Sequence, residues 1–528
     1  MQRIFKLSAA FKTEKARDRL GWILLAAAFL IGCSTLGVGS FTDEGDNVIT
    51  GLLMLRGYTL YGNLFSNHFP FPYYWAAAIV ALFGKSIMLV RLSVWLFQIA
   101  SFAIAMKLSR YVLPLGLMSL MWAIIRHIYS GNLLLYFSFS TVPLVVVFAI
   151  VLPVLLRTVK ADWRHSLAIG FFSTVAILSD PLAVYPVAIA LAYLLVTDRK
   201  QGLMAVLFTG TGLAAYAGWL LASGTFQGFV DQAILFNARV FSKYKETDPV
   251  RFGTILEQAI KGLEIFDPKW LNLNPFQPIP YNGSDRWLFT GFFYRLAIIV
   301  ATLLLLVQKD FRAASFLYLF ACSTVLNNTK GFRAAPFILL ALLVASAVMT
   351  GAWWRKEKKE KESISRLRMA LGVLHGAGRL GLGLMMFWLA LRVAVLTFVQ
   401  TPDKLSYDRT FAPLEARAAQ IKAMACGQPN VFLAHYPGSG YTLWFTDMKP
   451  VARFIYMWPW DAEAYLDEVI SALDQEQVSA IVLIRARDIW GWPVKDYLRA
   501  LYEYLDKNYV RIEEGVYVSP FLAAKCQQ

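Results

Sequence analysis

Apolar residues along the chain gather in long runs separated by short polar and basic connectors. A helix of roughly 20 apolar residues crosses the bilayer hydrocarbon with every backbone group bonded internally. Runs of that kind predict helices at 20–38, 87–107, 112–130, 132–156, 165–180, 182–196, 202–222, 287–307, 312–327, 334–352 and 369–398, about eleven spans. Two further stretches, 47–58 and 70–84, are apolar and helical in period but too short to span, so they predict helices lying in the membrane interface. Tyr58, Tyr61, Tyr73, Tyr74 and Trp75 suit that depth.

The pattern changes after residue 400. Strand-like runs occupy 430–435, 478–484 and 515–521, and amphipathic helical periodicity marks 462–476 and 494–508. "GQPN" and "YPGSGY" read as turns. The expectation is a polytopic α-helical membrane protein: a transmembrane module over 1–400 with external loops 39–86 and 223–286, then a small α/β domain over 401–528.

Composition agrees, with 57% hydrophobic and 16% charged residues against about 25% charged in globular chains. The net charge of +16 has its source in basic connectors such as "RTVKADWR" (157–164), "TDRKQG" (197–202) and "WWRKEKKEKESISRLR" (353–368). These fall on one side when the spans alternate, which places the N terminus in the cytoplasm and the C-terminal domain outside a cytoplasmic (inner) membrane. With the charge so explained, nucleic acid is not an expected partner, whereas membrane lipids are. The first apolar run follows a basic amphiphilic stretch and lacks a small-residue cleavage pattern, so it reads as a retained anchor.

Cys33 and Cys322 fall in predicted spans, whereas Cys426 and Cys526 bracket the outer domain and are candidates for a disulfide in an oxidising compartment. Neither a Cys-x-x-Cys nor a His pair at ligand spacing occurs, so the sequence implies no metal and no cofactor.

Candidate chemistry concentrates where the first span ends. "FTDEGDNVI" sets Asp43, Glu44 and Asp46 within four positions at a membrane boundary, where ionisable groups are functional candidates. Arg126 and His127 stand near the outer end of a span. Asp180 precedes Pro181, either as a second carboxylate of a cavity or as a helix cap across the proline turn. In the 223–286 loop, Arg239, Lys243 and Lys245 interleave with aromatics, an arrangement that fits a lid or a surface helix.

The order of Asp-Glu-Gly (43–45), "RGYTLYGNLF" (56–65), "NHFPFPYYW" (67–75) and "FGKSIMLVRLSVW" (83–95) resembles the N-terminal third of the GT-C integral-membrane glycosyltransferases. The likeness is to bacterial relatives of the protein O-mannosyltransferases and the aminoarabinose transferase of lipid A. "NNTKGFRAAPFILLALLVAS" (327–346) is similar to a late Arg…Pro element of those families. The resemblance implies an inverting enzyme that moves a sugar from a polyprenyl-phosphate carrier to an acceptor hydroxyl at the outer face, the acceptor being a lipid, glycan or protein. It matches Asp43 to the general base and Glu44 to its partner, and it points to His68, Lys330 and Arg333 for the carrier phosphate. Here "HFPFP" stands where relatives have contiguous prolines. Two alternatives remain from the sequence: a transporter or flippase, against which no duplicated halves are visible, and a non-catalytic accessory subunit.

Overall fold

The computed structural model describes residues 13–244, 285–324, 335–352, 366–400, 405–435, 439–475, 480–484, 488 and 491–526, with the side chains of 285–293, 366–375, 392, 396, 400, 480 and 526 excepted. Lys330, Arg333 and Lys245 lie outside the described residues.

In chain order the first helices are α1 (Glu14–Ser34), α2 (Thr42–Leu55), α3 (Phe71–Phe83), α4 (Ile87–Ser109), α5 (Val112–Ile125), α6 (Tyr136–Leu155), α7 (Trp163–Ser179), α8 (Val184–Thr197) and α9 (Arg199–Ala222). After a wide-turned helical segment at 226–244 come α10 (Asp285–Val307), α11 (Phe311–Ser323), α12 (Ala335–Thr350) and α13 (Arg366–Ala394). Each of the eleven predicted runs coincides with one of these helices. Among the described residues, four are long and apolar enough to cross a bilayer: Ile87–Ser109, Val112–Tyr129, Tyr136–Leu155 and Arg199–Ala222. Others are cut short by local chemistry. Asp180 accepts the Leu182 N–H at 3.0 Å and starts a tight turn at Pro181–Ala183, so the 182–196 run begins as a capped turn before α8.

Helices without a polar face belong inside, and the bundle is built that way. α6 is buried from Phe137 through Leu155, and α12 is buried from Ala335 through Val348. α9 is the opposite case: Leu203, Leu207, Trp219 and Leu221 point outward. α1 packs on α5 where Gly21 faces Gly116, and an added Cβ at Gly116 would stand 2.5 Å from the Gly21 carbonyl oxygen. Small residues at a crossing let two backbones approach this closely.

The C-terminal part comprises α14 (Tyr407–Met424), β1 (Asn430–His435), α15 (Ser439–Thr446), β2 (Lys449–Pro450), α16 (Pro459–Gln475), β3 (Ala480–Ile484), α17 (Val494–Tyr497), α18 (Arg499–Asn508), β4 (Val510–Glu513), β5 (Val516–Val518) and α19 (Pro520–Cys526). The sheet order is β2-β1-β3-β5-β4; β1 runs parallel to β2 and β3, while β5 runs antiparallel to β3 and β4. Cys426 is disulfide-bonded and Cys33 and Cys322 are free. The side chain of Cys526, the partner expected from the sequence, lies outside the described residues.

Strand alternation gives this sheet two apolar faces. Phe432, Ala434, Val482 and Tyr517 pack against Val469, Leu473, Leu501 and Leu505. Val431, Leu433, Ile481, Leu483, Val516 and Val518 share a core with Val48, Ile49, Leu52 and Leu53 of α2. α2 therefore differs from the surface-lying helix expected: Glu44 through Leu53 are all buried, because the C-terminal part covers the side that would otherwise meet water.

Candidate active site

Glu44, in the first turn of α2, is fully buried, as is Arg91 of α4. The Arg91 Nε–H donates to Glu44 Oε1 at 2.9 Å, and Arg91 Nη2 and the Tyr441 hydroxyl both donate to Oε2. The backbone N–H of Leu134 donates to Oε1 at 3.0 Å. The remaining Arg91 donors reach the carbonyls of Leu36 at 2.6 Å and Gly39 at 2.7 Å. A buried ion pair is tolerated when its leftover donors and lone pairs are satisfied in this manner. The pair joins α2, α4, α15, the loop after α1 and the turn before α6. Close backbone contact holds the same junction: an added Cβ on Gly440 would overlap the Gly45 carbonyl group.

Both Glu44 oxygens are thus occupied by protein donors. Asp43 is half-buried at the start of α2, where a carboxylate interacts favourably with the helix dipole. Asp46 is buried one turn below. It accepts from the Tyr73 hydroxyl at 3.1 Å, and Tyr73 shares a 2.7 Å hydrogen bond with Ser66. Burial, and then the charge of Asp43, push Asp46 up to about 7, against the hydrogen bonds from Tyr73 and Thr50.

The stretch leading into α16 faces these acids. Burial pushes the Tyr456 hydroxyl well above its ordinary range, and the charges of Asp46 and Asp43 add to the effect. Asp461 is held up at about 8 by burial and by Asp46, opposed by the hydrogen bond from the Trp458 N–H. Asp43, Asp46, Asp461 and Tyr456 thus share one electrostatic neighbourhood, although Tyr456 and Asp461 stand more than 400 residues further along the chain.

The other candidates from the sequence are dispersed around this centre. The His68 ring stacks on Tyr136 at 5.3 Å, and its backbone carbonyl accepts from the Tyr61 hydroxyl at 2.7 Å. Arg126 is fully buried beneath α5. Its Nη2 donates to Gly32 O at 2.6 Å, its guanidinium lies 3.9 Å from the Trp95 ring centre, and its Nε and Nη1 meet no acceptor among the described residues. Arg239 is exposed on the 226–244 segment. That segment docks on α16 through Lys243 and Tyr244, which hydrogen-bond Glu463 at 2.9 and 2.6 Å. On its other side, Gln232 accepts from the Ser66 N–H at 3.1 Å and donates to Tyr61 O at 3.0 Å.

Tyr441, Tyr456 and Asp461 were not among the residues singled out from the sequence. Tyr441 lies in "GSGY", which reads as a turn yet enters helix α15. For Tyr456 a signal existed in "FIYMWPW" (454–460), an apolar aromatic run in an otherwise polar region, which Asp461 directly follows.

No family model matches the chain, and no curated protein matches it. The solved structure of ArnT from Cupriavidus metallidurans bound to undecaprenyl phosphate matches with a TM-score of 0.53 at 12% identity, covering 94% of this chain and 97% of that one. The apo state of the same protein matches with a TM-score of 0.49 at 13% identity over the same shares. In line with the resemblance carried by residues 41–346, the chain has the fold of ArnT.

Proposed function

We propose that the protein is a membrane glycosyltransferase that moves a sugar from a polyprenyl-phosphate carrier to an acceptor hydroxyl, with Asp43 as general base. The supporting observation is the division of labour in the first turn of α2. Glu44 is fully engaged by Arg91, Tyr441 and Leu134, which fixes the turn, while its neighbour Asp43 keeps access to solvent. In the step envisaged, the acceptor O–H gives its proton to the Asp43 carboxylate and its oxygen attacks the anomeric carbon from the face opposite the phosphate. The bond from that carbon to the phosphate oxygen breaks, and polyprenyl phosphate leaves with the electron pair. Inversion follows from this single displacement.

Charge developing on the leaving phosphate calls for fixed N–H donors. Arg126 has two such donors without a protein acceptor among the described residues, and Arg333, Lys330, His68 and Arg239 are the further candidates. Asp180 is assigned to capping instead, on its bond to Leu182. In this reading the N terminus is cytoplasmic, and residues after about 400 form an extracytoplasmic domain that closes over the first loop. The ArnT structure holds undecaprenyl phosphate, which makes that lipid the first probe.

Native mass spectrometry of the detergent-purified full chain with undecaprenyl phosphate tests the reading. Saturable one-to-one binding is expected, weakened by Arg126→Met, Lys330→Ala or Arg333→Ala. Absence of binding at every chain length would remove the transferase reading.

A further inference from the structure

The proposed transfer leaves two carboxyl groups of the Asp43 neighbourhood, Asp46 and Asp461, without a task. Asp461, in the first turn of α16, is 3% exposed. Its Oδ2 accepts the Trp458 N–H at 3.0 Å and so closes the start of the helix. Its Oδ1 is buried and meets no donor among the described residues. Capping needs one oxygen, and a neutral Asn, Ser or Thr supplies it. The second, unsatisfied oxygen therefore calls for another explanation, since buried polar atoms are normally paired.

Its surroundings suggest what would pair with it. Asp46 lies close enough for its charge to raise the proton affinity of Asp461, and Tyr456 feels both acids. Tyr456 and Trp458 are partly buried, with their rings edge to face at 5.4 Å. Trp460 stacks on Trp458 at 5.5 Å and is itself buried against Phe241 and Tyr244, which makes the aromatic wall rigid. Rigid aromatic faces beside a few convergent polar groups are the usual composition of a small-molecule site.

We propose that Asp461, Asp46 and Tyr456, walled by Trp458, form a subsite for the hydroxyl groups of a sugar ring beside Asp43. Such a ring offers O–H donors to the buried carboxyl oxygens and apolar C–H edges to the aromatic faces. A metal ion fits less well: no group of three or more His, Cys, Asp or Glu able to hold one occurs among the described residues. Burial also favours the protonated carboxyls, which exchange hydrogen bonds with hydroxyls. The inference rests on the transferase reading, in which the ring is that of the donor or of the acceptor.

The test, run at about pH 9.5 so that the Asp461 carboxyl, held up at about 8, is ionised, compares wild type with Asp461→Asn, which keeps an oxygen for the Trp458 N–H and turns the unpaired acceptor into an amide NH2. Three probes are titrated against the full-length protein in detergent: undecaprenyl phosphate, undecaprenyl-phosphate hexoses, and free methyl hexopyranosides. The variant is expected to bind undecaprenyl phosphate within about twofold of wild type, and a sugar-bearing probe about tenfold more weakly. Loss confined to the lipid-linked sugar assigns the ring to the donor; loss on the free glycosides assigns it to the acceptor. Equal binding of both sugar-bearing probes by wild type and variant overturns the subsite, as does a wild type that gains nothing from the sugar. A wild type that binds glycosides but not undecaprenyl phosphate keeps the subsite and removes the transferase reading. If Asp461→Asn fails to fold, Tyr456→Phe, which removes only a hydroxyl, is expected to give the same pattern.

Discussion

Cutting one side of the Arg91–Glu44 pair leaves a buried, uncompensated charge, and the structure allows the consequence to be estimated. Both side chains are fully buried, and Glu44 satisfies two Arg91 nitrogens, the Tyr441 hydroxyl and the Leu134 N–H. Removing one partner of such a pair costs about 3–5 kcal/mol. With an unfolding entropy of about 2.1 cal/mol/K per residue, 4 kcal/mol lowers the melting temperature of a 528-residue chain by roughly 4 °C if it melts as one unit. The shift is larger if only the α2 junction and the C-terminal part melt together. Glu44→Ala and Arg91→Ala are each expected to show it in detergent thermal melts followed by tryptophan fluorescence. The double variant is expected to melt well above the sum of the two losses, because it leaves no orphaned charge. Glu44→Ala should also lose transfer activity, since the turn that aims Asp43 is no longer held. A Glu44→Ala shift below about 1 °C, or simple additivity in the double variant, would refute the reasoning.

Two further perturbations test the same junction. Asp46 has an ordinary value of 3.8 and stands at about 7 in the folded chain. Between those values the folded chain keeps a proton that the unfolded chain has released, so this group erodes stability as pH rises from about 4 to 7 and adds no further change above that. Asp46→Asn is expected to flatten that part of the melting temperature profile, and the gap corresponds to roughly 4 kcal/mol at full development; an unchanged slope would contradict a buried acid at this position. Gly440→Ala should drive α15 off α2 by forcing a methyl into the Gly45 carbonyl, a steric cost of about 1–3 kcal/mol. Gly45→Ala should be milder, because its methyl meets Tyr441 at 3.1 Å; equal melting of Gly440→Ala and wild type would show that the two helices are not in contact.

Local pattern made much of this architecture legible in the sequence. Each long apolar run coincides with a helix among the described residues, and strand-like apolar runs mark the strands at 430–435 and 480–484. Lengths were less legible, because caps such as Asp180 and tight turns such as Arg126–Tyr129 consume residues that hydropathy assigns to a span. The acids at 43–46 stood out by position, but their different fates did not. Nothing local distinguishes Glu44 from Asp43; the distinction comes from Arg91, 47 positions away, and from Tyr441, 397 positions away. The same holds for Asp461, whose electrostatic neighbour Asp46 lies more than 400 positions away in the chain. "SGYTLWFT" reads as a turn followed by an apolar run because Gly440, which looks like a breaker, is there for close approach to α2.

The central claim, that Asp43 removes the acceptor proton, is tested most directly by single-turnover transfer from a polyprenyl-phosphate sugar with Asp43→Asn. The account predicts loss of transfer by at least about 100-fold, the low end for a general base, with undecaprenyl phosphate binding and melting temperature close to wild type. Transfer at a near-normal rate in that variant would contradict it.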